Sequence, residues 1–189
     1  MPDYKTYISK YIKNNKDVIV EGCLYTHEKL KKEFPDTNST SSTNFSEYKA
    51  FNDHNGYQLY NFFQMSAPNI YIFNVYKELL KVINSFTGHN GLYIQSWINC
   101  QSQDQVLNWH RHEGFLYHGY ICIDPKDTVT EFEDYVIENE VGLIYIGSGS
   151  PRHRVVNNSN YKGKRITLGF DLIEPSNNFV KSRSFIPIV

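Results

Sequence analysis

The sequence predicts a mainly β fold with flanking α-helices, and three features support this prediction. Among the 189 residues, 15 are Tyr and 12 are Phe, whereas only 2 are Trp and 2 are Met, a bias that favours strands. From Gly91 onward, apolar and polar residues alternate with a period of two. Turns rich in Gly, Ser, Pro and Asp separate these alternating segments, as is typical of a β-sandwich or barrel.

The first ninety residues predict helices that pack against this β core. Apolar residues recur there at helical spacing in two segments. Proline is tolerated in the first turn of a helix because its missing N–H needs no partner at that position. The expected elements are a helix over 3–14, a strand over 18–25, a helix over 27–34 capped by Thr26, and a long helix from Ser66-Ala67-Pro68 to Gly88.

The second half predicts a series of short strands within one domain. No internal repeat and no composition shift interrupts residues 1–189. A helical support region over 1–90 therefore precedes a β core over 91–175. The expected strands cover residues 93–99, 105–110, 116–123, 129–132, 141–146, 152–156 and 165–173.

Charge and composition argue against several classes of partner. The formal net charge is -1 and the isoelectric point is about 6.6, so no strong field attracts nucleic acid or an anionic membrane. No apolar run approaches the ~20 residues of a membrane-spanning helix, and the N-terminus lacks the pattern of a signal peptide. The cysteines Cys23, Cys100 and Cys122 have no CxxC spacing and are expected to be buried thiols. A cytoplasmic protein is therefore expected.

Three histidines form a candidate metal site. His110 and His112 are separated by one residue and should project from the same face of a strand. Such a pair can bind a metal ion, although it also suits a solvent-facing strand edge. His153 follows later, directly after the turn Gly149-Ser150-Pro151-Arg152, at a position where a strand should begin. We therefore predict a metal site formed by His110, His112 and His153.

Arg165 and Thr167 form a candidate anion site. They lie two residues apart in the last predicted strand, so both side chains share one face, the inner face if Ile166 packs outward. A guanidinium suits a carboxylate in a bidentate arrangement; the alternative is an arginine at a strand end paired with a surface acid. His118 is a candidate fourth ligand, a hydrogen-bond donor beside the metal, or a core histidine. The other histidines, expected in solvent, are His27, His54 and His89.

Together these motifs resemble those of one enzyme family. The motifs are Trp109-His110-Arg111-His112, His118-Gly119-Tyr120, His153 and Arg165-Ile166-Thr167-Leu168-Gly169-Phe170-Asp171. They resemble motifs of the iron(II)- and 2-oxoglutarate-dependent oxygenases, in particular the small members found in bacteria and marine phages. The resemblance covers about the last hundred residues. It implies a double-stranded β-helix, or jelly roll.

The resemblance also implies a reaction. Oxidative decarboxylation of 2-oxoglutarate would be coupled to hydroxylation of a substrate that the motifs do not identify. The implied cofactors are Fe(II), the cosubstrate 2-oxoglutarate, and O₂. The implied roles are His110 as first iron ligand, His153 as distal ligand, Arg165 and Thr167 on the far carboxylate of 2-oxoglutarate, and Tyr120 and His118 beside that cosubstrate.

One position departs from the family pattern. The family has a carboxylate two residues after the first histidine, which completes a set of two histidines and one carboxylate on one face of the iron. Here that position is His112. Either His112 is the third ligand or the neighbouring Glu113 supplies the carboxylate.

Two alternative functions follow from the same residues. His110-x-His112 and His153-x-x-x-Asn157 also resemble the metal motifs of cupins, a jelly-roll family in which three histidines on iron can support thiol oxidation without a cosubstrate. A cupin has no need of an inward arginine such as Arg165. The other alternative is a jelly-roll binding module without metal.

Overall fold

The computed structural model describes residues 4–33, 59–88, 91–105, 107–178 and 184–188. Over these residues the chain consists mainly of antiparallel strands, and its helices lie in the N-terminal half. In chain order the elements are β1 (Tyr4–Ile8), α1 (Lys10–Asn14), α2 (Lys16–Glu33), α3 (Phe62–Met65), α4 (Ile70–Thr87), β2 (Tyr93–Gln101), β3 (Tyr117–Asp124), β4 (Thr128–Phe132), β5 (Val136–Glu138), β6 (Leu143–Ser148), β7 (His153–Asn157), β8 (Arg165–Ile173) and β9 (Ile186–Pro187).

The strands form two antiparallel sheets that enclose a cavity. The larger sheet has the order β1-β6-β3-β8-β2-β9, and the smaller sheet has the order β5-β4-β7. A single bridge between His110 and His153 adds residue 110 to the edge of the smaller sheet, beside β7. Side chains from both sheets line the cavity between them. The predicted mainly β fold, a jelly roll with flanking helices, is confirmed.

The strand β8 lies in the middle of the larger sheet and positions most of the site. It pairs with β2 on one side and with β3 on the other. Its even-numbered residues, from Ile166 to Leu172, pack in the main hydrophobic core, whereas Arg165, Thr167 and Gly169 line the cavity. The predicted alternation and the predicted bounds of this strand are both confirmed.

The helices α2 and α4 cover the outer face of the larger sheet. Together with the even-numbered residues of β8, they form one cluster of buried apolar side chains. The side chain of Asn69 caps α4 by accepting hydrogen bonds from the N–H groups of Tyr71 and Ile72. The helix ends before Gly88, which adopts a left-handed φ of 62° that glycine tolerates without strain.

The expected strand over 18–25 is wrong, because these residues lie largely in the N-terminal half of α2. The run Val18-Ile19-Val20 suggested a strand through its β-branched side chains. Residues three or four positions apart are nevertheless the buried ones, including Ile19, Cys23 and Leu30. Packing of this stripe against the core outweighs local strand propensity. Of the helix expected over 27–34, residues 27–33 form the C-terminal part of α2, and residue 34 lies outside the described residues.

Two helix boundaries and one strand also differ from expectation. The helix predicted over 3–14 is wrong at its start, because Tyr4–Ile8 form β1 and pair with β6, and Ser9 then caps the short α1. The long helix begins at Ile70 rather than at Ser66-Ala67-Pro68. Of the strand expected over 105–110, residue 106 lies outside the described residues, and among the others only His110 takes part in a β-bridge.

The three cysteines are buried and free, as predicted for Cys23, Cys100 and Cys122. Burial raises the pKa of the Cys122 thiol to about 12 and also raises the pKa of Cys100. These thiols are therefore protonated and unreactive at neutral pH. Across the described part of the chain, none of the helices is long and apolar enough to cross a membrane.

Candidate metal centre and anion pocket

Three histidines that are separated in sequence lie together in the cavity. The backbone N–H of His110 donates to the His153 carbonyl at 3.0 Å, and the N–H of His153 donates back at 2.8 Å. This antiparallel pair brings the two ring centroids to 4.2 Å. His112 completes a group in which one ring nitrogen from each residue lies within 4.8 Å of the others. Three imidazole nitrogens at such distances suit one divalent metal ion.

Hydrogen bonds determine which nitrogen His112 and His110 offer. The Nδ1 of His112 lies 3.0 Å from Oδ1 of Asp171, and an ionised carboxylate only accepts, so this Nδ1 carries the proton. The Nε2 of His112 is buried without a hydrogen-bond partner among the described residues. In the same way, Nδ1 of His110 donates to the Asn108 carbonyl at 2.8 Å. In both rings the proton on Nδ1 leaves Nε2 as the nitrogen that can coordinate a metal ion.

Burial keeps the imidazoles of His110 and His153 neutral. Desolvation, followed by the proximity of His112, lowers the pKa of His110 to about 3. Desolvation and the neighbouring histidines hold the pKa of His153 well below its usual value. Because the neutral imidazole is the form that binds a metal ion, protons do not compete for these two side chains at neutral pH.

Asp171 is a site residue that the sequence analysis missed. Its side chain is fully buried, and its carboxylate accepts hydrogen bonds from both His112 and His118. Burial alone raises the pKa of a carboxyl, but the two histidines outweigh it and hold the pKa of Asp171 at about 2. The alternation of side chains along β8 could have identified Asp171 from the sequence, because it puts Asp171 on the same face as Arg165.

His118 lies behind His112 rather than within the three-histidine group. The two rings stack with centroids 3.6 Å apart and planes 14° apart, and the Nδ1 of His118 lies 2.9 Å from Oδ1 of Asp171. Burial, followed by His112, lowers the pKa of His118 to about 4. His112, His118 and Asp171 also form a second group with metal-ligand spacing.

Trp97 packs against this pair of histidines. Its ring lies 17° from the plane of His112, with centroids 5.7 Å apart. Gly169 is the direct neighbour of Trp97 across β2 and β8. A Cβ at this glycine would come within 2.4 Å of the indole, so only glycine leaves room for the tryptophan. The ring thereby limits the orientations open to His112.

The alternative ligand Glu113 lies away from the histidines. It forms a surface ion pair with Arg111, and its side chain is 67% exposed. His112 therefore occupies the position at which the resemblance led us to expect a carboxylate.

Arg165 is a buried cation in the same cavity. It is only 3% exposed, and no ion pair among the described residues involves it. Its guanidinium donates to Oε1 of Gln101, the residue directly opposite on β2. Burial lowers the pKa of Arg165, an effect that the neighbouring Tyr161 partly offsets. A buried guanidinium without an acidic partner would be stabilised by binding an anion.

Thr167 and Tyr120 line the same cavity as Arg165 and the histidines. The Oγ1 of Thr167 accepts a hydrogen bond from Nδ2 of Asn99 at 3.3 Å, so the hydroxyl proton remains available to a ligand. Burial raises the pKa of Tyr120 well above its usual value, so its phenol stays protonated. The structure thus brings together all seven site residues that the sequence predicted.

One further histidine differs from expectation. His27 was expected in solvent but is 7% exposed on α2, far from the other histidines in sequence. Burial, together with Lys31, lowers its pKa to about 4. His54 and His89, also expected in solvent, lie outside the described residues.

No protein-family model matches the sequence, and no curated protein is significantly similar to it. Solved structures, however, share the fold. The non-heme α-ketoglutarate-dependent carbocyclase SnoK from nogalamycin biosynthesis aligns with a TM-score of 0.60 and 9% identity, covering 100% of this chain and 92% of that chain. AviO1 from Streptomyces viridochromogenes Tue57 aligns with a TM-score of 0.54 and 12% identity, covering 93% and 91%.

The apo form of the non-heme monooxygenase ThoJ aligns with a TM-score of 0.53 and 9% identity, covering 93% of this chain and 75% of that chain. Alignments to a ThoJ–nickel complex and to a 2OG-Fe(II) oxygenase family member from Burkholderia pseudomallei span only 55% and 57% of those chains. At such low identities the similarity shows a common fold.

Proposed function

We propose that this protein is an iron(II)- and 2-oxoglutarate-dependent oxygenase that hydroxylates its substrate. The observation that carries the proposal is a single cavity lined both by three clustered histidines and by a buried arginine without a carboxylate partner in the described residues. A metal ion and a dicarboxylate would satisfy these two features at once. Two proteins that share the fold, the non-heme α-ketoglutarate-dependent carbocyclase SnoK and the non-heme monooxygenase ThoJ, support the proposal.

His110, His112 and His153 are the proposed metal ligands. The fit rests on the buried, unpartnered Nε2 of His112 and on the neutral state of His110 and His153. When bound together with 2-oxoglutarate, Fe(II) supplies the activation of O₂ that the side chains cannot supply. Asp171 fixes the tautomer and orientation of His112. It also places a negative charge next to this proposed ligand without itself binding the metal.

Arg165 and Thr167 are the proposed partners of the far carboxylate of 2-oxoglutarate. An unpaired guanidinium in a buried setting costs several kcal/mol, and a bidentate carboxylate offsets that cost. The free hydroxyl proton of Thr167 adds a third donor. Tyr120 and His118, protonated and neutral respectively, border the same space.

A cupin-type dioxygenase with three histidine ligands is the second candidate. The observation in its favour is the ligand set itself, because His112 stands where a carboxylate is usual in the first candidate. Such an enzyme would use the metal without a cosubstrate, and Arg165 would then bind an anionic group of the substrate. A non-catalytic jelly-roll module would bind neither metal nor cosubstrate.

The deciding experiment measures binding and turnover of 2-oxoglutarate. Protein reconstituted with Fe(II) without oxygen and then exposed to O₂ should release succinate slowly from 2-oxoglutarate, even without substrate. Calorimetry with Mn²⁺ in place of iron should detect metal-dependent binding of 2-oxoglutarate. Stoichiometric metal without such binding would favour the cupin, and the absence of metal would favour the binding module.

A further inference from the structure

Four tyrosines form a continuous series between the cavity and the protein surface. They are Tyr120 on β3, Tyr145 on β6, Tyr135 directly before β5, and Tyr4 on the edge strand β1. Tyr120 lines the cavity together with the three histidines of the candidate metal centre. Tyr4 and Tyr135, in contrast, are only half-buried. This tyrosine series therefore begins in the cavity and ends at solvent.

Each member of the tyrosine series contacts the next. The ring centroids of Tyr120 and Tyr145, which are paired residues on β3 and β6, lie 5.1 Å apart with planes 19° apart. The hydroxyl groups of Tyr145 and Tyr135 form a hydrogen bond of 3.0 Å. The rings of Tyr135 and Tyr4 stack with centroids 4.2 Å apart. Rings at such separations are in direct contact, so no gap interrupts the series.

Phe132 connects the candidate metal centre to the tyrosine series a second time. Its ring centroid lies 5.1 Å from that of the candidate ligand His153 and 5.0 Å from that of Tyr145. Two routes therefore lead from the cavity to Tyr145, one through Tyr120 and one through the ring of Phe132.

The hydroxyl groups distinguish this series from ordinary aromatic packing. Phenylalanine would fill the same space without the free-energy cost of burying a polar group. A phenol, unlike a phenyl ring, loses one electron readily when its proton can leave at the same time. The hydroxyl of Tyr135 is such a proton acceptor for Tyr145, and the half-buried Tyr4 can release its proton to water. Burial raises the pKa of both Tyr120 and Tyr145, so these phenols keep their protons until they are oxidised.

We propose that the tyrosine series carries electrons from the surface to the cavity and so removes oxidising equivalents that no substrate has consumed. This protective role rests on the proposed function only for its source of oxidant, a redox-active metal in the cavity, which the cupin-type candidate shares. Without the relay, the oxidant would attack the side chains that line the cavity.

The relay completes a balanced reaction when substrate is absent. Turnover of 2-oxoglutarate with one O₂ gives succinate and CO₂ and leaves one oxygen atom as a two-electron oxidant. Two electrons, which move singly along the tyrosine series, and two protons from solvent reduce this oxygen atom to water. Each electron that leaves Tyr4 is accompanied by its phenolic proton, which passes to solvent. A soluble thiol then restores Tyr4 by donating one electron and one proton, and two such thiols join as a disulfide.

Trapping of tyrosyl radicals tests the relay without 2-oxoglutarate. Protein reconstituted with Fe(II) is mixed with hydrogen peroxide, a two-electron oxidant, in the presence of a nitroso spin trap that adds to the rings of tyrosyl radicals. Peptide mass spectrometry then locates the adducts. In the wild type they should lie on Tyr4 and Tyr135. Tyr145→Phe should lower their yield at least ~fivefold, because the ring remains but has no hydroxyl to oxidise, and oxygen addition to cavity-lining residues should rise.

Two controls separate the relay from diffusing oxidants and from packing. Tyr25 is 75% exposed on α2, outside the tyrosine series, so an oxidant released into solution would modify it at least as much as Tyr4. Tyr60→Phe removes a buried hydroxyl elsewhere in the core and should leave the adducts unchanged. Tyr4→Phe, at the half-buried end, should shift the adducts to Tyr135. Adducts on Tyr25 at the level of Tyr4, or an unchanged yield in Tyr145→Phe, would overturn the relay.

These outcomes are separable from those of the proposed function. Adducts that depend on Tyr145, without succinate release from 2-oxoglutarate, would retain the relay and reject the oxygenase. Succinate release without adducts on Tyr4 or Tyr135 would retain the oxygenase and reject the relay. A protein that binds no iron would overturn both, because the cavity would then have no source of oxidant.

Discussion

The Asp171 carboxylate accepts a hydrogen bond from Nδ1 of His112 at 3.0 Å and so fixes which nitrogen of that ring can coordinate a metal ion. The ligand set proposed here contains no carboxylate, and Asp171 supplies a negative charge through the imidazole instead. Orientation and charge at the metal therefore depend on a residue that does not bind it.

Replacing Asp171 with Asn should lower metal affinity about 10- to 100-fold. The amide keeps the shape of the side chain but loses the charge and presents both a donor and an acceptor to His112. Competition with a chelator measures the affinity. Asp127→Asn, which alters an exposed carboxylate bonded to Ser159, is the control. Unchanged affinity in the Asp171 variant would mean that His112 is not a ligand.

His110→Ala and His153→Ala should each abolish stoichiometric metal binding. Removal of one of three protein ligands leaves too few to hold an exchangeable ion. His118→Ala should weaken binding less, because His118 acts through Asp171. Elemental analysis after gel filtration measures the metal content. His27→Ala removes a buried histidine on α2 and should leave the content unchanged; metal retained in His153→Ala would contradict the site.

Arg165→Ala should weaken 2-oxoglutarate binding on the order of 2 to 5 kcal/mol, because a carboxylate loses its charge-assisted bidentate partner in a buried setting. Arg165→Lys should recover only part of the affinity, since an ammonium cannot reproduce the planar fork. Calorimetry with Mn²⁺ measures both, and Arg152→Ala at the surface is the control. Equal affinity in the alanine variant would argue for the cupin-type alternative.

The free energy of unfolding of the metal-free protein should fall as the pH falls from about 6.5 to about 4. Burial lowers the pKa of His118 to about 4 and of His110 to about 3, whereas unfolded histidines titrate near ~6.5. Within this window the unfolded chain binds more protons, so acid favours unfolding; above it both states are neutral. The slope approaches ~1.4 kcal/mol per pH unit for each fully buried histidine.

Urea denaturation at several pH values measures this dependence. His27→Gln should reduce the slope, because the pKa of His27 is also lowered to about 4 by burial and Lys31. Above pH 7 the free energy of unfolding of the variant should differ from that of the wild type only by a constant amount. A wild-type stability that stays constant between pH 6.5 and 4.5 would contradict the neutral state of these histidines.

Local patterns in the sequence were sufficient for the central strands of the β core, but not for β1 or β5. The period of two between Arg165 and Ile173 gave the bounds of β8 and the cavity-facing side of Arg165 and Thr167, because alternation along a strand is set by neighbouring residues. The same patterns failed for α2. Its run of β-branched residues favours a strand locally, and only the core against which Ile19 and Cys23 pack makes the helix more stable.

The sequence by itself determined the fold class. It also identified His110, His112 and His153 as candidate metal ligands and Arg165 as a candidate anion-binding residue, since spacing and residue chemistry are properties of the chain. Only the tertiary structure decided their partners. Asp171 meets His118 across β3 and β8, and Gln101 meets Arg165 across β2 and β8. Such pairs join residues 53 and 64 positions apart, and their register is set by the packing of whole strands, which no local pattern encodes.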